Sequence, residues 1–172
     1  MNILTVDFEC FFDNEYTLTK LTTEAYIRDP RFEAHGVGLY ASGLGVVSGK
    51  GDGVWIAQPK REVFDGLVDW ENTAVLCHHA AFDGLILSHH YGIIPGRWLD
   101  TMSMAAYLWP SERKSLSEVA RRMGLPEKQE PYMKGVHYAD MSREQQRELA
   151  DACLQHCELT YSIFTKMMSG DY

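Results

Sequence analysis

Apolar and polar positions follow two different periods along this chain. The opening NILTVDFECFF (2–12) is β-branched and aromatic and alternates as a strand does. HGVGLYAS (35–42), GVVS (45–48) and VWIA (54–57) predict further strands, with GKGDG (49–53) as the glycine turn of an antiparallel meander. In PKREVFDGLVDW (59–70), Pro59 opens a segment that sets Val63, Phe64, Leu67 and Val68 at helical spacing, so a helix is predicted there. TAVLCH (73–78) is a short apolar run, the pattern of a strand covered on both faces.

The second half is helical. AAFDGLILSHHYG (80–92) predicts a helix ended by Gly92, and SLSEVARRMG (115–124) one opened by Ser115 and ended by Gly124. Residues 142–168 predict a long final helix with Ser142 as N-cap and Leu149, Cys153, Tyr161, Phe164 and Met168 near helical spacing. PEKQEPYMKGVHYADMS (126–142) is the least regular segment and is expected to be a mobile loop close to the site. The expectation is an α/β fold with a mixed central sheet flanked by helices. No repeat or composition shift divides the chain, so residues 1–172 are expected to form a single domain.

Composition narrows the function classes. With 45% hydrophobic and 12% aromatic residues among 172, the chain is expected to pack a core and not to be disordered. No apolar run reaches the length of a membrane span, and MNILTVDFEC lacks the basic region and long apolar stretch of a signal peptide. The cysteines at 10, 77, 153 and 157 form no CxxC pair and are expected to be reduced thiols of a cytoplasmic protein. A net charge of -8 disfavours a broad basic surface for nucleic acid, although bound cations reverse the sign of an acidic site locally.

Candidate chemistry begins with VDFEC. Asp7 and Glu9, two residues apart on a strand, point to one face and repel each other unless a cation lies between them. A D-x-E pair by itself is also common on solvated strand faces. Asp83 sits in the first turn of an apolar helix after a buried strand, where a carboxylate also serves simply to favour the helix N-terminus.

VDFE, HHAAFDGLIL, WLDTMSMAAYLWP, KSLSEVARRMGL and CLQHCELTYSIF follow one another in a familiar order and spacing. The chain thereby resembles, from about residue 3 to residue 166, the DEDD-superfamily (DnaQ-like) 3′–5′ exonucleases. It is most similar to the proofreading domains of family A DNA polymerases and their phage relatives, which TTEAYIRDPRFEAHGVGLY also resembles. The resemblance implies a ribonuclease H-like fold and two divalent cations, Mg²⁺ or Mn²⁺, clamping an in-line displacement at phosphorus. It implies metal ligation by Asp7 and Glu9, with Asp83 supporting the second cation. His79 stands where the family commonly has Asn, and Asp100 is either a supporting acid or a helix cap.

The third motif departs from the family. His156 occupies the position of its ligand aspartate; Ala152 and Asp151 occupy the two usual positions of its general base. Three readings are open. His156 ligates the metal as a neutral imidazole, which favours Mn²⁺, Co²⁺ or Zn²⁺ over Mg²⁺. Alternatively Asp151 supplies the carboxylate and His156 handles the attacking water. In the third, the site is degraded and the domain only binds. His137, on the irregular segment with Tyr132, Lys134 and Tyr138, is a further candidate base. Zinc at Cys153, His156 and Cys157 lacks a second ligand pair, and GKGDG lacks the length and ending of a phosphate loop.

For the substrate, His78, His79 and Phe82 are the candidate contacts, together with Phe8, which on an ideal strand faces away from the acids. The expected activity is a metal-dependent 3′–5′ exonuclease on DNA 3′ ends, single-stranded, as a freestanding domain working beside a separately encoded polymerase in replication. Its place is the cytoplasm, that of the host if phage-encoded, with no membrane partner. The alternatives are a ribonuclease of the same superfamily and an inactive nuclease-fold module that binds nucleic acid or a replication partner.

Overall fold

A computed structural model gives residues 2–41 and 53–172. The described residues form strands β1 (Asn2–Cys10), β2 (Ala34–Tyr40), β3 (Gly53–Ala57), β4 (Thr73–Cys77) and β5 (Arg97–Asp100) and helices α1 (Thr23–Arg28), α2 (Ala80–Tyr91), α3 (Thr101–Leu108), α4 (Leu116–Arg122) and α5 (Arg143–Ser169). The five strands form one sheet in the order β3-β2-β1-β4-β5. β1 and β3 run antiparallel to β2, while β4 is parallel to both β1 and β5, so the sheet is mixed as expected.

The period of β1 sets the two faces. Leu4, Val6 and Phe8 are buried on one side, where Phe8 stacks on Tyr91 of α2 at 5.8 Å. Asp7 and Glu9 point the other way, toward α5, which packs across β1, β2, β3 and β4. β4 is buried along its whole length, consistent with its continuously apolar sequence. A second apolar cluster joins α3 and α4 to Leu159, Ile163 and Met167 of α5. The segment before α5 is tied down by Glu33, whose carboxylate accepts the Tyr138 N–H at 2.8 Å and contacts His137 Nδ1 at 2.6 Å.

Several sequence expectations need correction. Residues 59–70 form no α-helix, only a 3₁₀ turn at Arg61–Phe64 and another at Trp70–Asn72. Gly66, with φ at +73°, takes the left-handed conformation that breaks the intervening backbone. Helices α1 and α3 had no periodic signal; both are short. α5 matches its predicted span and carries a capping box between Ser142 and Gln145, but its buried stripe differs. Leu149 and Cys153 are buried as expected, but Tyr161 and Phe164 are only half-buried and Met168 is exposed, while Ala152, His156, Thr160, Ile163 and Met167 are buried, because α5 packs against the sheet and against α3 and α4 together. The expected strand at 45–48 and the turn at 49–52 lie outside the described residues.

Two glycines let α5 and the acids meet. In the β1–β2 register Asp7 lies opposite Gly38 and Glu9 opposite Gly36. A Cβ on Gly38 would stand 2.9 Å from Cys153 Sγ and 3.0 Å from Cys157 Sγ, so α5 occupies the space a side chain would need. Overpacking of this kind costs about 1–3 kcal/mol. Gly38→Ala should therefore lower the melting temperature by roughly 2–12 °C in a thermal scan. Adding Cys153→Ala, which reopens the space, should recover part of that loss.

Candidate metal centre

Strand β1 and helix α5 bring together groups 149 positions apart in the chain. His156 Nδ1 lies 3.1 Å from Glu9 Oε1 and 3.3 Å from Asp7 Oδ2. Among the described residues, these three form the group whose potential ligand atoms all lie within 4.8 Å of one another. His156 is buried, while Asp7 and Glu9 are partly open to a cavity of about 690 Å³. On the far side of the ring, Nε2 sits 2.7 Å from the carbonyl oxygen of Gln129.

That carbonyl decides the chemistry of the ring. A carbonyl oxygen only accepts, so Nε2 carries a hydrogen and donates it. A neutral His156 therefore aims the lone pair of Nδ1 at two carboxylates, which is repulsive unless a proton or a metal ion intervenes. Without a metal the proton takes this place. Burial by itself would lower the His156 pKa, but hydrogen bonds to Asp7 and Glu9, with their charges, outweigh burial and raise it to about 10. Glu9 is pushed upward by burial, against the hydrogen bond from His156. With the proton removed, two carboxylate oxygens and a nitrogen oriented by a backbone carbonyl form a donor set that fits a divalent cation.

The other predicted site residues are distributed differently. Asp83 is buried outside the converging group and accepts the Phe8 N–H at 3.0 Å, joining α2 to β1 one residue from Asp7. Burial, and then the charge of Asp7, push its carboxyl well above the usual range. Asp151 is exposed and does not join the group; five residues from His156, it lies about 140° away around the helix. Asp100 caps α3 through the Met102 N–H and also accepts the His79 N–H, both at 3.0 Å. His137 stacks on Phe11 at 4.1 Å and belongs to the Glu33 tie instead of the site. Cys153 and Cys157 are free thiols packed at Gly38, and the converging group contains neither, which removes the zinc reading.

The substrate candidates divide in the same way. Phe8 is buried and stacks on Tyr91, and it also borders the cavity. Phe82 packs between His79 and Tyr26 against the main core and is absent from the cavity lining. His78 reaches the cavity, but Nδ1 meets Thr101 Oγ1 and Nε2 meets the Lys114 carbonyl, both at 2.7 Å, so both ring nitrogens are engaged. His79 lines the cavity with a left-handed backbone, φ 112°. Asn and His both tolerate that region better than most residues, which accounts for either at this position. Tyr132 of the irregular segment lines the cavity too, as do Lys128 and Leu18, which nothing in their local sequence marks out.

No protein-family model matches this chain, and no curated protein matches it significantly. Solved structures do. NrnC of Brucella melitensis aligns over 98% of this chain and 74% of its own at 18% identity, with a TM-score of 0.59. The same protein with bound Mg²⁺ aligns over 98% of this chain and 74% of its own at 17% identity and TM-score 0.56. RNase D of Escherichia coli, an exoribonuclease involved in structured RNA processing, aligns over 97% of this chain and 40% of its own at 11% identity, TM-score 0.59. Likeness at such identities establishes the fold: this chain has the ribonuclease H-like fold.

The raised His156 pKa has two signed consequences. In metal-free protein the pairing of imidazolium with Asp7 and Glu9 is fully present below the ordinary histidine value and fades as pH rises through about 10. A cation that binds Nδ1 must displace that proton, so Mn²⁺ affinity should climb about tenfold per pH unit below that value. Titration calorimetry in buffers of different ionisation enthalpy should register close to one proton released per ion at neutral pH, and the release should lose its dependence on the imidazole in His156→Ala.

Proposed function

We propose that this chain is a divalent-metal-dependent 3′–5′ exonuclease of the DEDD type, with residues 1–172 as its single domain. The observation that carries the reading is the convergence of Asp7, Glu9 and His156 at the floor of a cavity on a ribonuclease H-like sheet. Asp7, Glu9 and His156 would hold the metal, with Asp83, bonded to the β1 backbone at Phe8, supporting a second ion. The bound cations, Mg²⁺ or Mn²⁺, supply a hydroxide at neutral pH and neutralise the leaving oxygen. The Mg²⁺-bound state of NrnC supports this choice of cofactor.

The protein's own groups hold the strand. His79 and Tyr132 flank the cavity and offer ring faces to the terminal bases. Lys128, close enough to Glu9 to lower its pKa, adds a cation in a protein of net charge -8. His156, with its Nε2–H committed to Gln129, serves as ligand; Asp151 is left to solvent. The substrate is a single-stranded 3′ end. The resemblance of the sequence to proofreading domains favours DNA, and a separately encoded polymerase as partner, while the likeness to RNase D favours RNA.

One observation favours a second reading, binding without hydrolysis. The His156 imidazolium sets one positive charge between Asp7 and Glu9, so part of their repulsion is offset without a metal. Digestion of 3′- and 5′-labelled single-stranded DNA and RNA with Mg²⁺ or Mn²⁺ separates these readings. Stepwise shortening from the 3′ end is expected. Asp7→Ala should lower it at least about a hundredfold, since bound metal contributes several kcal/mol to the transition state. His156→Ala should lower it as well. Binding of strands with no shortening under either metal would leave the binding module.

A further inference from the structure

We propose that Gln155 is a positioning residue for the metal centre, acting through the backbone of Gln129; this rests on the site reading above. The segment from Leu125 to Tyr132 has no regular secondary structure of its own. Its backbone groups must find partners elsewhere or in water. Gln155, one residue before His156 on α5, supplies them: its Oε1 accepts the Gln129 N–H and its Nε2 donates to the Glu127 carbonyl, both at 2.8 Å. A side-chain amide thus pairs with residues 127 and 129 as a neighbouring strand would.

Gln129 is consequently gripped by two consecutive side chains. Its N–H goes to Gln155 and its carbonyl to His156 Nε2. The second contact fixes which ring nitrogen carries hydrogen and turns Nδ1 toward Asp7 and Glu9. Partners of this kind, behind a metal ligand, typically alter metal affinity 10–100-fold when removed. Without Gln155, the Gln129 backbone keeps, among the described residues, the hydrogen bond from the ring it is meant to orient. Gln155 touches neither acid and is not a catalytic residue.

The test uses the full chain and Mn²⁺ as the probe. Gln155→Leu keeps the size and removes both hydrogen bonds; Gln155→Glu keeps the acceptor for Gln129 and loses the donor to Glu127. We expect Mn²⁺ affinity to fall roughly 10–100-fold in Gln155→Leu and by less in Gln155→Glu. In metal-free protein the His156 ring N–H facing Gln129 should give a slowly exchanging proton resonance in the wild type. It should be lost to solvent exchange in Gln155→Leu, with the circular dichroism unchanged. Affinity within twofold of wild type, together with a persisting ring N–H resonance, would overturn the proposal. If the wild type binds no Mn²⁺, the metal reading fails and the ring resonance alone decides whether Gln155 positions His156.

Discussion

Two carboxylates on same-face positions of the central strand impose the condition that the surrounding structure meets. Asp7 and Glu9 are about three-quarters shielded from water, so their mutual repulsion is only weakly screened. A positive centre must sit between them, and Nδ1 of His156 is where the fold puts it. That placement requires α5 to lie directly on the sheet. The glycines opposite both acids on β2 make room: Cys153 and Cys157 fill the space beside Gly38, and the Trp55 ring fills that beside Gly36. Cys153 Sγ then reaches both the backbone and the carboxylate of Asp7 at 3.3 Å.

The acids are not equivalent. Asp83 reaches β1 from the α2 side and receives the Phe8 N–H, so a single strand residue with its side chain in the core is also the anchor for an acid near the site. Burial and the charge of Asp7 favour its protonated form, whereas Asp7 and Glu9 face the cavity and the imidazole. A third acid behind the pair is thus kept from adding its full charge to an already crowded centre.

Histidine in place of a carboxylate changes what the centre is. Two carboxylates and one imidazole offer oxygen and nitrogen donors together, a set that suits softer divalent ions better than oxygens alone would. The centre also gains an internal counter-ion. A cluster of acids is ordinarily read as a sign of a missing cation, but here the imidazolium supplies the charge until a metal displaces its proton. Metal occupancy, histidine protonation and the position of the Gln129 carbonyl are three aspects of one arrangement.

The sequence by itself determined what depends on local period. Alternation along β1 put Asp7 and Glu9 on one face and Phe8 on the other, and caps at Ser142 and Gly92 bounded α5 and α2. Strands β1 to β4 and helices α2, α4 and α5 were legible because their periods and end signals are local. Tertiary structure alone chose His156 over Asp151, engaged both nitrogens of His78 and made Asp100 a cap. It also broke the predicted helix after Pro59 at Gly66. Those outcomes turn on which helix face meets the sheet and on a backbone carbonyl at residue 129, 27 positions from the ring it orients. A carbonyl is the same in every residue, so no side-chain pattern can announce it; only packing decides where it points.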